Sequence, residues 1–179
     1  MNKKHVFEWK QIFIPVLIAL GTAFRFIGVS GRTLDGDEGV ILKIANGSVS
    51  HVIAGAAQDV HPPFFHLLVS LSLTLFGSSA LALRLVSVLA GIGVVALGPA
   101  IARRLKANEV LVTALLATAP FLVYVSQDAR MYSLLMFLVV AGWTSAGAAC
   151  LPPRKLSCGI FCRIWRPING RQWRPSGRR

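Results

Sequence analysis

The chain has 179 residues, of which 54% are hydrophobic and only 15% charged, and its mean hydropathy is +0.62. Soluble domains carry about 25% charged residues, so this balance excludes an ordinary soluble enzyme and points to an integral membrane protein. The net charge is +12, but the basic residues cluster at the two ends and in one short turn.

The first candidate span is 11–27, QIFIPVLIALGTAFRFI. A crossing helix needs roughly 20 mostly apolar residues. Arg25 falls near its end, where a long side chain is expected to snorkel to the headgroups. No small-residue cleavage site of the A-x-A kind is present, so the stretch reads as an uncleaved anchor.

TLDGDEGV, residues 33–40, follows at once and holds Asp35, Asp37 and Glu38, three of the seven acids in the chain. Val40, Ile41, Ile44 and Ala45 then recur at helical spacing up to Asn46-Gly47, which predicts a short amphipathic helix over 38–46. QDVHPPFFH comes next, with Asp59, His61 and His66 around a Pro-Pro break. The apolar run behind it, 62–77, is too short to cross and reads as interfacial. It predicts a juxtamembrane helix over 63–76 that puts Phe64, Leu67, Leu68 and Leu71 at the lipid boundary.

Three further spans are expected at 80–102, at 107–125 (with Glu109 near its start and Pro120 inside) and at 131–151, which carries no charge. Between the last two lies YVSQDARMYS, which places Asp128 and Arg130 at the mouth of two helices. Charge orients the four crossings. If 63–76 stays on the surface, Lys3, Lys4, Lys10, Arg103, Arg104, Lys106 and the basic tail share one side, and by the positive-inside rule that side is cytoplasmic. Asp35, Asp37, Glu38, Asp59 and Asp128 collect on the other.

After the fourth span the composition switches abruptly to Arg, Trp and Pro, with no helical period. Residues 152–179 read as a basic cytoplasmic tail, and a truncated or frameshifted end would give such a switch. An intact downstream frame encoding more spans would support that origin. Trp165 and Trp173 among arginines could stack bases, but attraction to anionic lipid explains the same charges, so no nucleic-acid partner is expected. Cys150, Cys158 and Cys162 form no zinc spacing, and an odd count is no disulfide framework.

The chemistry therefore gathers in the outer loops. Carboxylates held at an apolar rim are candidates for shifted ionisation, and one can serve as general base toward an incoming hydroxyl or amine. Arg130 could grip a phosphate with its planar fork. The alternative is a non-catalytic membrane protein, a small transporter subunit or assembly factor. A transporter would place ionisable residues at mid-span, whereas Arg25, Arg84 and Glu109 all lie near span ends.

Four stretches carry a resemblance: DGDEG, HPPFFHLLVSLSLTLFGSSALALRLVSVLAG, ARRL and APFLVYVSQDARMYSLLMFL. In their order and spacing the chain resembles membrane glycosyltransferases of the GT-C fold over about residues 13–143. The branch is that of protein O-mannosyltransferases and the aminoarabinose and lipopolysaccharide-core sugar transferases. The resemblance implies an all-α polytopic membrane protein, here its N-terminal part, in the bacterial inner membrane with both termini cytoplasmic. It implies transfer of a sugar from a polyprenyl phosphate carrier to a lipid, glycan or protein acceptor on the outer face. Asp37 matches the family's base, Glu38 completes the Asp-Glu pair, and Asp128 matches the second acidic position. His61 falls where the family has a polar residue facing the cavity and, with Arg130, is assigned to substrate binding. No cofactor is required, although two carboxylates leave room for a divalent metal. Relatives are much longer, which puts in doubt the activity of so short a chain.

Overall fold

The computed structural model describes residues 3–58 and 62–149, and among them every regular element is a helix. The chain divides into two units, Met1–Ala146 and Gly147–Arg179. The architecture below belongs to the first, and the expected tail at 152–179 lies outside the described residues.

Helix α1, Lys3–Phe26, is the long apolar rod expected near the N-terminus. It packs against α7, Glu109–Thr118, and α5, Ala80–Ala96. Gly21 permits the first approach, because a Cβ there would lie 3.0 Å from that of Ala117. Arg25 does not snorkel. It is fully buried and turned inward, where carbonyl oxygens solvate it.

Helix α2, Gly36–Ala45, starts and stops where the acidic cluster and Asn46 predict. Asp35 is its N-cap, and the Asp35 backbone N–H donates to Glu38 Oε2 at 3.3 Å. That is the return arm of a capping box, which places Glu38 in the first turn. An element absent from the sequence reading follows: α3, Val49–Gln58. Ser48 Oγ accepts from the His51 N–H at 3.4 Å, and Val52 and Ala56, one turn apart, are its buried residues.

Helix α4, Pro63–Phe76, begins with proline at its first turn and ends at Gly77, whose φ of 78° only glycine adopts freely. Its 14 residues span about 21 Å at 1.5 Å each, short of a bilayer core of about 30 Å. Phe64 and Leu71 are exposed as expected, whereas Leu67 and Leu68 are half-buried because α4 lies along α5. His66, between exposed Phe64 and Leu71 in chain order, is buried on the inner face of α4.

The expected spans at 80–102 and 107–125 are each two helices. Helix α5 passes at a 41° bend into α6, Gly98–Leu105, where Pro99 interrupts the ladder. Helix α7 passes at a 56° bend into α8, Pro120–Ser126, for the same reason at Pro120. By length and composition, among the described residues, α1 alone can cross a membrane, or three segments if each bent pair is one span. Helix α9, Tyr132–Ala149, closes the set. Arg104 donates to the Thr144 carbonyl and lies 5.5 Å from the centre of the Trp143 ring, which ties α9 to the end of α6.

The apolar core sits at one end of the bundle. Ala45, Phe65, Val69, Leu73, Ala82, Leu83 and Ala129 pack together there, flanked by Ile41, Leu42 and Met131. It therefore unites α2, α4 and α5 with the α8–α9 junction, and Glu38 accepts from the amide of its member Ala129.

Candidate active site

Glu38 anchors the site from beneath. It is 1% exposed and forms a two-pronged pair with Arg84 of α5, Nε to Oε1 at 2.8 Å and Nη2 to Oε2 at 2.6 Å. The Ala129 N–H donates to the same Oε1 at 2.9 Å. Arg84 also donates to the carbonyls of Val29, Arg32 and Thr33. One buried pair thus fixes the first outer loop, the start of α2 and the α8–α9 junction. Burial alone would raise the Glu38 carboxyl. The hydrogen bonds from Arg84 and Ala129, with the Arg84 charge, outweigh it and hold the group at about 2.

The residue before Glu38 faces out, since neighbours on a helix point in different directions. Asp37 is 70% exposed, and its Oδ2 lies 2.8 Å from Arg130 Nη2. The residue before Ala129 turns toward the same cation: Asp128 Oδ2 lies 3.0 Å from Arg130 Nε, although the N–H does not align for a hydrogen bond. Asp37 and Asp128, 91 positions apart, therefore meet on one guanidinium. Asp128 is 6% exposed. Burial pushes its carboxyl up, the Arg130 charge pulls it down, and the charge of Glu38 raises it again, so it stays above the usual range.

A cleft of about 370 Å³ opens beside this pair. Asp37, Ile41, Phe65, His66, Arg130 and Tyr132 contribute to its wall. Of the residues singled out in the sequence, Asp37 and Arg130 face the cleft. Glu38 and Asp128 stand behind them, and His61 lies outside the described residues. His66 and Tyr132 were not anticipated as wall residues. Arg84 was missed as a partner, and its signal was an arginine inside an apolar run, which needs a counter-charge. Arg32 sits 5.2 Å from the centre of the Tyr124 ring. Gln127 ties the α8 end to α1 by donating to the carbonyls of Phe24 and Ile27, at 2.8 and 2.9 Å.

Among the described residues no three His, Cys, Asp or Glu side chains converge as metal ligands. Asp37 and Asp128 already share Arg130, so a divalent cation would have to displace the arginine. What the arrangement offers is an exposed carboxylate, an arginine with more donors than its two partners take up, and a walled cleft beside both.

A second, apolar groove of about 360 Å³ runs between α4, α5 and α9, lined by residues such as Leu68, Leu75, Leu89 and Phe137. The two cavities share α4 and α9 as walls.

The sequence profile of the dolichyl-phosphate-mannose-protein mannosyltransferases matches residues 60–155. No curated protein and no solved structure matches the chain.

Proposed function

The chain belongs to the dolichyl-phosphate-mannose-protein mannosyltransferase family of membrane glycosyltransferases, and from that premise we propose that it transfers a sugar from a polyprenyl phosphate carrier to an acceptor hydroxyl or amine at the outer membrane face. The observation that carries this reading is the 2.8 Å pair between Asp37 and Arg130 at the cleft mouth. It sets a candidate base beside a candidate phosphate holder.

The step is a single displacement. The acceptor's O–H or N–H attacks the anomeric carbon while Asp37 takes its proton. The bond from that carbon to the phosphate oxygen breaks, and its electron pair leaves with the polyprenyl phosphate. Arg130 stabilises the charge that grows on that phosphate. When the phosphate arrives it competes for the Arg130 fork, which loosens Asp37 from its ion pair and frees its lone pairs for the acceptor. Asp128 stays behind Arg130 and keeps the guanidinium facing the cleft. Glu38, locked on Arg84, sets the turn that presents Asp37. The carrier's lipid chain lies in the apolar groove between α4, α5 and α9. His61 is assigned to the carrier phosphate or the acceptor. The GT-C fold, four crossings, an inner-membrane location and cytoplasmic termini belong to the same reading.

The test is transfer of radiolabelled sugar from polyprenyl phosphate in membranes, with Asp37→Asn beside the parent chain. Losing a general base costs about 10²- to 10⁴-fold. Equal transfer by both chains would remove Asp37 from the role.

A further inference from the structure

Arg25 is the buried cation that the sugar-transfer reading leaves unused. It is 0% exposed, and among the described residues no carboxylate pairs with it. Oxygens of three elements surround its fork instead. Nη1 donates to the Gly21 carbonyl at 2.9 Å and to that of Ala117 at 3.4 Å. Nη2 donates to the Leu116 carbonyl at 3.1 Å, and Nε to Ser126 Oγ at 3.2 Å.

Two of these acceptors exist because of Pro120. In an unbroken helix the amide of residue 120 would bond the Leu116 carbonyl, and proline has no amide hydrogen. The break at Ala119–Pro120 also leaves the Ala117 carbonyl without a backbone donor. Carbonyls freed at membrane depth must find a partner inside the protein. Arg25 reaches across from α1 and supplies it.

The packing is built around this fork. A Cβ at Gly91 of α5 would lie 2.1 Å from Ser126 Oγ and 3.0 Å from Arg25 Nε. Ser126 is itself held by donating to the Leu122 carbonyl one turn back. A reciprocal tie runs the other way, from Gln127 to the carbonyls of Phe24 and of Ile27, just past the end of α1. The residue after Gln127 is Asp128.

We propose that Arg25 is a positioning residue. By capping the carbonyls opened at Pro120 it fixes the 56° bend between α7 and α8, and so the direction in which α8 delivers Asp128 and Arg130 to the cleft. Its consequence for substrate rests on the sugar-transfer reading; the bend itself does not. Lysine cannot take its place in full, because one ammonium cannot reach oxygens on both sides of the break as a planar fork does.

The test uses the full chain in lipid nanodiscs, with Cys150, Cys158 and Cys162 replaced by serine. Nitroxides go on Val16→Cys in α1 and Phe121→Cys in α8, positions that are 56% and 68% exposed. Pulsed dipolar spectroscopy should give one narrow distance in the parent. Arg25→Gln should broaden or shift it by several ångströms, and Arg25→Lys should restore it in part. Binding of a polyprenyl monophosphate should weaken roughly tenfold in Arg25→Gln. The parental distance in Arg25→Gln would overturn the proposal, and so would a displaced α8 with parental binding. A parent chain that does not bind polyprenyl phosphate would sink the sugar-transfer reading, while the distances still decide the bend. If Arg25→Gln does not fold, Arg25→Lys keeps the charge but not the fork and carries the same test: a widened or shifted distribution supports the role and the parental one overturns it.

Discussion

Glu38 and Arg84, 46 residues apart in sequence, face each other as a buried two-pronged ion pair, 2.8 and 2.6 Å between their nitrogens and oxygens. Neither faces the cleft, yet the pair holds the chain on either side of it. Asp37 is one residue from Glu38, and Asp128 and Arg130 flank Ala129, whose amide Glu38 holds. The pair is the joint that turns two distant loop sequences into one site.

Breaking one partner of such a buried pair leaves the other charge uncompensated and costs about 3–5 kcal/mol. Arg84→Ala should be the more damaging change, since it also frees the carbonyls of Val29, Arg32 and Thr33. Acid should do the same reversibly. The Glu38 carboxyl sits at about 2 when folded against an ordinary 4.5, so its contribution is present above about 4.5 and is lost as pH falls from there toward 2. Thermal unfolding in detergent at stepped pH should show the parent losing stability in that window. Glu38→Gln should be less stable at neutral pH and flatter across it.

Asp128 is shifted the opposite way, so its signature lies on the other side of the ordinary carboxylate value. Buried and set against the Glu38 charge, it ionises at higher pH than a free aspartate at about 3.9. The sign for stability is also opposite: a raised carboxyl favours the fold when protonated, and that contribution is lost as pH rises through its folded value. In the mechanism proposed above, charged Asp128, 3.0 Å from Arg130 Nε, is the form that holds Arg130 toward the cleft. Transfer should therefore rise with pH along a limb displaced upward from an ordinary aspartate. A pH profile of transfer by Asp128→Asn should lack that limb.

Close helix contact at the bent pairs makes a prediction that needs no catalytic reading. A Cβ at Gly98 would lie 2.7 Å from Thr113 Oγ1 and 3.1 Å from the Thr113 backbone, and the backbone cannot rotate away. Gly98→Ala should cost about 1–3 kcal/mol by overpacking α6 on α7. Gly142 on α9 has open space around its Cβ position, so Gly142→Ala should be neutral or gain up to about 1 kcal/mol of helix propensity. Comparison of the two melting temperatures checks the argument, and equal shifts would defeat it.

Much of this architecture was legible in the sequence because local rules decided it. The spacing of Val40, Ile41, Ile44 and Ala45 gave the helix over 38–46, which begins two residues earlier, at Gly36, because Asp35 caps it. Length, helical spacing and the distribution of charge gave α4 as a short helix ending at Gly77. Helix α3 escaped because its buried face is only Val52 and Ala56, too few to stand out from a loop. The two bends carried visible prolines, Pro99 and Pro120, but a proline does not say which way a helix turns; partners such as Arg25 decide that. Arg25 and Arg84 lay near span ends, where sequence alone reads a charge as snorkelling. Apart from Gly21, one turn back from Arg25, their acceptors stand 46 to 101 residues away, and only the packed fold brings them together.

Arg130 separates charge from geometry most cleanly. Its guanidinium reaches Asp37 and Asp128 with different nitrogens, Nη2 and Nε, so one planar group spans both carboxylates at the cleft mouth. A lysine keeps the charge but offers one point instead of a fork. In Arg130→Lys the ammonium should settle on buried Asp128, which holds less water, and release exposed Asp37. On the sugar-transfer mechanism proposed above, the cleft would then keep its proposed base, Asp37, and lose its proposed phosphate grip. The expected outcome is a KM for polyprenyl-phosphate sugar raised roughly tenfold or more, with kcat falling less, in transfer assays on membranes. Arg130→Ala should cost more in both parameters, because it also leaves buried Asp128 without its cation. A lysine variant with parental KM would mean that the donor phosphate binds elsewhere.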